Sequence, residues 1–171
     1  MLLALVALAA ACGDADSGLG GPEPDRVSLA VGAGDPAPSF TGTLLSGEEL
    51  SLGSLRGRPL VLNFWLTSCE PCVREMPTLA AATEADTDLV VVGVNFGETS
   101  EQIERFLAGF DGSVDFAILL DSGEITGAYQ VAALPTTYFI DSAGTIRYRR
   151  VGELREEHLA VGLERITTTS R

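Results

Sequence analysis

Two cysteines stand three residues apart in the run Cys69-Glu70-Pro71-Cys72. The almost unbroken apolar stretch before them, residues 60–66, is short enough for a strand covered on both faces. A helical pattern follows. A helix opening at Cys69 carries Cys72 on the same face one turn later. It also takes Pro71 into its first turn, where a missing N–H is no loss. A thiol at a helix N-terminus meets the positive end of the helix dipole, which favours thiolate. Strand, corner, thiol and partner thiol are the parts that reversible disulfide exchange needs. Other uses of the pair fit less well. Half a zinc site needs two more ligands, and the remaining Cys and His are Cys12 and His158, remote and unclustered. A purely structural bridge around two residues removes little loop entropy and stabilises little.

Glu75 lies one helical turn beyond Cys72 and about 60° round from it. At the edge of the buried face a carboxylate could take the proton from Cys72 as it attacks. The plainer use is a surface glutamate. Partial burial and a nearby thiol predict a raised pKa. Glu70, between the cysteines, opposes thiolate at Cys69 while the dipole favours it, so the sign of the net effect stays open.

These residues must be held by the elements around them. Residues 39–45 and 49–52, split by Ser46-Gly47, read as a hairpin, and residues 54–57 as a single turn. A first central strand spans 59–66. A helix spans 70–85, with Cys69, Cys72, Val73, Met76, Leu79 and Ala80 on one face and a kink expected at Pro77. A valine-rich strand, 89–95, comes next. In the helix at 99–110, Ile103, Phe106, Leu107 and Phe110 form the apolar stripe, and Thr99 with Gln102 has capping-box spacing. A strand at 116–120 leads to a helix at 121–129, where Asp121 and Glu124 repeat that spacing. Strands at 136–140 and 145–151 flank a turn, and a helix at 153–166 turns Leu159, Leu163 and Ile166 inward. Alternating strands and helices ending in a hairpin predict an α/β three-layer sandwich with a mixed sheet and helices on both faces.

The run NFWLTSCEPCVREMP, together with Ala37-Pro38-Ser39-Phe40, Leu134-Pro135-Thr136-Thr137 and residues 88–95 and 138–151, resembles the TlpA/ResA-like branch of the thioredoxin superfamily. That branch consists of membrane-tethered thiol–disulfide oxidoreductases, and the likeness extends over residues 31–166. It implies a thioredoxin-like fold with an N-terminal β-hairpin, in which the helix and strand between Asn95 and Asp121 are a central insertion. It implies Cys69 as attacking thiol, Cys72 as resolving thiol, and Glu75 as proton acceptor. Asn63 stands where thioredoxin has a buried Asp, and it cannot titrate. Pro135, after Leu134, would be cis and face the cysteines. Trp65 matches the tryptophan beneath the active site, whereas Ser68 replaces the one just before the first cysteine. Glu70, Pro71, Leu134, Pro135 and Trp65 are thus the residues expected to meet substrate. CEPC is also similar to the motif of ResA-like proteins that reduce the haem-binding cysteines of apocytochrome c. The implied partners are dithiols and disulfides of extracytoplasmic proteins, apocytochrome c among them, and a membrane electron donor of CcdA/DsbD type. No cofactor and no metal are expected. A Sco-like copper-delivery protein is one rival, but it spaces its cysteines more widely and has a metal-binding histidine ahead of the last hairpin. The other is a peroxiredoxin, whose signature needs Thr or Ser and a proline where Leu66 and Leu62 stand.

Residues 1–11 are mostly Leu and Ala, too short to span a bilayer, and read as the core of an export signal. Ala9-Ala10-Ala11-Cys12 resembles a lipoprotein box, although Leu8 stands four residues before the cysteine rather than three and no basic residue follows Met1. Cys12 is then a lipidation site, and the chain an exported, membrane-anchored protein facing the periplasm or cell exterior. Residues 13–35, rich in Gly, Asp, Pro and Ser, read as a flexible tether with a reach of roughly 25 Å. The predicted organisation is a signal with lipoprotein box at 1–12, a tether at 13–35 and one domain at 36–168. The 171 residues suffice for one such core. A net charge of −13, with every basic residue an arginine, argues against a nucleic-acid partner, because little here would neutralise phosphates.

Overall fold

The computed structural model describes residues 31–112 and 114–167. The expected signal, Cys12 and most of the tether lie outside them. The chain opens with a small antiparallel hairpin, β1 (Thr41–Thr43) and β2 (Glu49–Ser51), and a 3-10 turn at Leu52–Leu55. There follow β3 (Leu60–Trp65), α1 (Glu70–Ala85), β4 (Val90–Phe96), α2 (Ser100–Gly109), β5 (Ala117–Asp121), α3 (Glu124–Ala128), β6 (Thr136–Ile140), β7 (Ile146–Val151) and α4 (Glu156–Thr167). Five strands form one sheet in the order β5-β4-β3-β6-β7. β3, β4 and β5 run parallel, and β6 and β7 run antiparallel to their neighbours. Parallel neighbours need crossover connections, which α1 and α2 supply. The antiparallel pair needs only the turn, where the Asp141 carboxylate accepts from the Thr145 N–H at 2.9 Å and Gly144 takes a φ of 83°.

β3 sits at the centre and is buried along its whole length, as its apolar sequence demands. Its residues alternate between faces. Leu60, Leu62 and Phe64 join Phe40 of the N-terminal segment and Ile125 and Tyr129 from α3 and its end. Val61 packs on the opposite face with Leu79 of α1, Phe139, and Ile166 of α4. Trp65, on that same opposite face, joins Cys72 and Met76 of α1 and Ile103 of α2. The sheet is therefore covered on both sides, a three-layer sandwich of the thioredoxin type. The helix–strand pair between β4 and α3 places β5 at the sheet edge and α2 beside the start of α1.

Several local expectations shift. Pro77, where a kink was expected, lies inside α1, and the helix continues on either side of it. α3 is shorter than 121–129: Gly123, at φ 119°, is its N-cap, and Asp121 still belongs to β5. The Asp121 carboxylate instead reaches forward, accepting from the Gly123, Ile125 and Thr126 N–H groups. Asp121 thus satisfies helix-start donors from outside the helix. α4 opens at Glu156 rather than at 153, because Glu153 and Leu154 bond to α1. Finally, residues assigned to the end of the tether already belong to the fold, since the Gly34 N–H donates to Ile146 and the Ile146 N–H to Asp35.

Candidate active site

β3 ends at Trp65, and the chain turns a corner closed by the Cys69 N–H donating to the Leu66 carbonyl at 3.2 Å. Cys69 is the N-cap of α1, with Glu70 and Pro71 in the first turn. Cys69 and Cys72 form a disulfide with Cα atoms 5.2 Å apart. Cys69 is half-buried and Cys72 fully buried. Any exchange with a partner therefore starts at Cys69, because only that sulfur's residue reaches the surface. Glu70 projects outward, paired with Arg74 at 3.0 Å, and Arg74 continues to Glu153 at 2.7 Å.

Beneath the disulfide lies a buried polar group that the sequence placed only at the edge. Glu75 is 1% exposed. Its Oε1 accepts from Asn63 Nδ2 at 2.6 Å, and its Oε2 accepts from the Leu154 N–H. Asn63 Nδ2 also donates to Thr137 Oγ1 at 3.0 Å, directly across the β3–β6 ladder. Burial, the largest influence, pushes the Glu75 pKa from 4.5 up to about 7. The Leu154 N–H and the Asn63 amide hold it back, the Glu153 charge pushes it up further, and Arg150 pulls it down. A carboxyl with a pKa near ambient pH can both take and return a proton. Asn63, which cannot titrate, here orients the group that can. Thr137 and Leu154 were not singled out from sequence; the Thr136-Thr137 pair after Pro135 was the available signal.

The Leu134–Pro135 bond is cis. Pro135 is buried, and its carbonyl accepts from the Gly152 N–H at 2.8 Å. Leu134 is half-buried and packs in the cluster that contains Cys69, Cys72 and Trp65. Leu66, Phe96, Thr126, Val131 and Leu134 line a largely apolar cavity of about 360 Å³ alongside. Trp65 requires a correction. Expected to meet substrate, it is 0% exposed, because Phe106 of α2 covers it with ring centroids 6.0 Å apart. It supports the disulfide from below. Gly93 of β4, opposite Asn63, makes room for it: a Cβ there would sit 2.9 Å from Trp65 Nε1.

Sequence reading missed Glu98, in the loop between β4 and α2. Its carboxylate accepts from the Thr67 N–H at 2.9 Å, the Thr67 hydroxyl at 2.5 Å and Asn95 Nδ2 at 2.7 Å. His158 accepts from the Arg155 N–H at the start of α4. Among the described residues no three of His, Cys, Asp and Glu cluster as a metal site, and no helix is long and apolar enough to cross a membrane.

The geometry has counterparts among known proteins. The AhpC/TSA family profile matches residues 33–149. The thioredoxin-like protein YneN of Bacillus subtilis is 36% identical over 142 residues, covering 81% of this chain and 83% of that protein. The thiol-disulfide oxidoreductase ResA of Geobacillus kaustophilus is 36% identical over 140 residues, covering 80% and 79%. Among solved structures, a secreted Mycobacterium tuberculosis disulfide oxidoreductase homologous to E. coli DsbE superposes with a TM-score of 0.64 at 27% identity, over 73% of this chain and 94% of that one. StoA from Bacillus subtilis gives 0.63 at 26%, over 74% and 97%. The chain belongs to the AhpC/TSA family and, with these relatives, to the ResA-like thiol–disulfide oxidoreductases of the thioredoxin superfamily.

Proposed function

We propose that this thiol–disulfide oxidoreductase is exported, tethered to a membrane through a lipid on Cys12, and reduces disulfides of extracytoplasmic proteins, with apocytochrome c among its substrates. The observation that carries the reductase direction is the buried Glu75 carboxyl one turn from Cys72. A strongly oxidising pair owes its potential to a stabilised reduced form. Glu75 above its pKa places negative charge one turn from Cys72, which works against that stabilisation. Export rests on the apolar stretch before Cys12 and on the likeness to a protein described as secreted.

In the reduced protein, the Cys69 thiolate attacks one sulfur of a substrate disulfide. A new S–S bond forms to Cys69, the substrate bond breaks, and its second sulfur leaves as thiolate and takes up a proton. Cys72 then gives its proton to Glu75 and attacks the Cys69 sulfur, expelling the first substrate sulfur. Two electrons have passed to the substrate, and the pair is left as the Cys69–Cys72 disulfide. A membrane dithiol protein of CcdA/DsbD type returns the electrons.

The deciding measurement is the reduction potential of the pair. A value near that of thioredoxin, about −270 mV, supports the reductant; one near that of DsbA, about −120 mV, makes the protein an oxidant. For the tether, Cys12→Ser is expected to move the domain from the membrane to the soluble fraction with exchange activity intact. Unchanged partitioning removes the anchor from the proposal and leaves the chemistry standing.

A further inference from the structure

We propose that Glu98 is a positioning residue for the redox pair, gripping the corner at residues 66–69 from the start of α2. Cys69 caps α1 without any side-chain hydrogen bond of its own. Its placement therefore depends on the corner that delivers it. That corner has one internal bond, from the Cys69 N–H to the Leu66 carbonyl. The rest of the restraint comes from outside. Glu98 Oε2 takes the Thr67 N–H and Oε1 takes the Thr67 hydroxyl, so one carboxylate holds one residue at two points. Asn95, fully buried at the end of β4 and in register with Trp65, fixes Oε2 in turn.

The chemistry explains why a carboxylate stands here. Three donors, two from Thr67 and one from Asn95, converge on the two carboxylate oxygens, and Gln would turn an NH2 donor toward one of them. Burial alone would raise the Glu98 pKa; the bonds from Thr67 and Asn95 outweigh it and hold the group below the usual glutamate range. The grip thus persists through neutral pH. Glu98 also precedes Thr99, the N-cap of α2, whose capping box is complete. With Phe106 resting on Trp65, α2 meets the redox site at both its start and its middle. The inserted helix is thereby part of the active-site frame.

The test uses the reduced full-length protein with oxidised glutathione as probe. Attack by Cys69 is followed as a function of pH up to the plateau where the rate stops rising, so that the plateau reports geometry. Glu98→Gln is expected to lower the plateau about tenfold, since small misplacements of reacting groups carry penalties of this order and larger. Thr67→Val keeps the main-chain donor and the carboxylate and is expected to lower it several-fold. The double variant should be no slower than Glu98→Gln alone, because both changes release the same corner. A role limited to charge would shift the midpoint of the pH profile and leave the plateau. A role limited to stability would lower the melting temperature and leave both. Either result, or losses that multiply in the double variant, overturns the proposal. Should Glu98→Gln fail to fold, an unchanged plateau in Thr67→Val overturns it alone.

Discussion

The two faces of β3 meet opposite demands. On one, Leu60, Leu62 and Phe64 enter a cluster in which polar atoms are accounted for: the Tyr129 hydroxyl donates to Pro38 at 3.0 Å and the Tyr138 hydroxyl to Tyr129 at 2.6 Å. Phe64, Tyr129 and Tyr138 meet edge-to-face or tilted, with centroids 5.1–5.9 Å apart. On the other face, Val61 is packed in carbon, Asn63 holds a buried carboxyl, and Trp65 Nε1 has no hydrogen-bond partner among the described residues. An unpaired buried donor costs about 1–3 kcal/mol. Polarity therefore rises along one face toward the disulfide, while on the other the buried tyrosine hydroxyls are both paired. The lesson is a division of labour across a single strand: the satisfied face supplies stability that the redox face gives up.

Three experiments would break or sharpen that division. The largest effect is expected from Phe64→Ala, on the satisfied face. It should remove about 3–5 kcal/mol of stability in a denaturant titration and leave the reduction potential unchanged. A potential that moves with the stability would mean the two faces are not separable.

Glu75→Gln probes the other face. The Glu75 pKa in the fold, about 7, lies above its ordinary 4.5, so its contribution to stability is full below about pH 4.5 and lost as pH rises through 7. The difference corresponds to roughly 3 kcal/mol. The variant should lack that pH-dependent fall. It should also slow turnover near neutral pH by up to about 10²-fold, the low end for a general base. Overlaying pH–rate profiles would reduce Glu75 to a structural residue.

A pair of glycines gives the smallest effect and the finest contrast. A Cβ on Gly162 of α4 would approach the Phe139 ring to 2.2 Å, and one on Gly93 would reach Trp65 Nε1 and Phe116 at 2.9 Å. Each alanine should destabilise by about 1–3 kcal/mol through overpacking. Only Gly93→Ala should alter exchange kinetics, because only it displaces the floor of the disulfide. Equal kinetic effects would contradict the gradient along the redox face.

What was legible in the sequence was what short stretches encode. The apolar run of β3, α1 at Glu70–Ala85 and the Thr99–Gln102 capping box all depend on neighbours within a few residues, and all stand where they were expected. What was not legible depends on chain segments meeting across the fold. Helical geometry put Glu75 at the edge of a face; the bond from Leu154, 79 residues away, buries it completely. The grip of Glu98 on Thr67 spans 31 residues and has no local pattern. Trp65 looked available to substrate because nothing in its neighbourhood announces that Phe106 covers it. α3 lost its first residues because Asp121 remained paired in β5, a tertiary choice that overrode capping-box spacing.

The N-terminal segment has a consequence of a different kind. Leu44 bridges Leu119 on β5, and Pro36 bridges Thr145 beside β7, so one short stretch of chain reaches both outermost strands of the sheet. Exposed strand edges invite pairing with other chains, and natural folds blunt them with coverings and charge. Here the coverings are supplied by the same few residues, and β7 adds Arg147, Arg149 and Arg150 along its length. A neighbouring molecule seeking to extend the sheet would thus meet a covered start and a run of arginines at β7, and the N-terminal hairpin at β5.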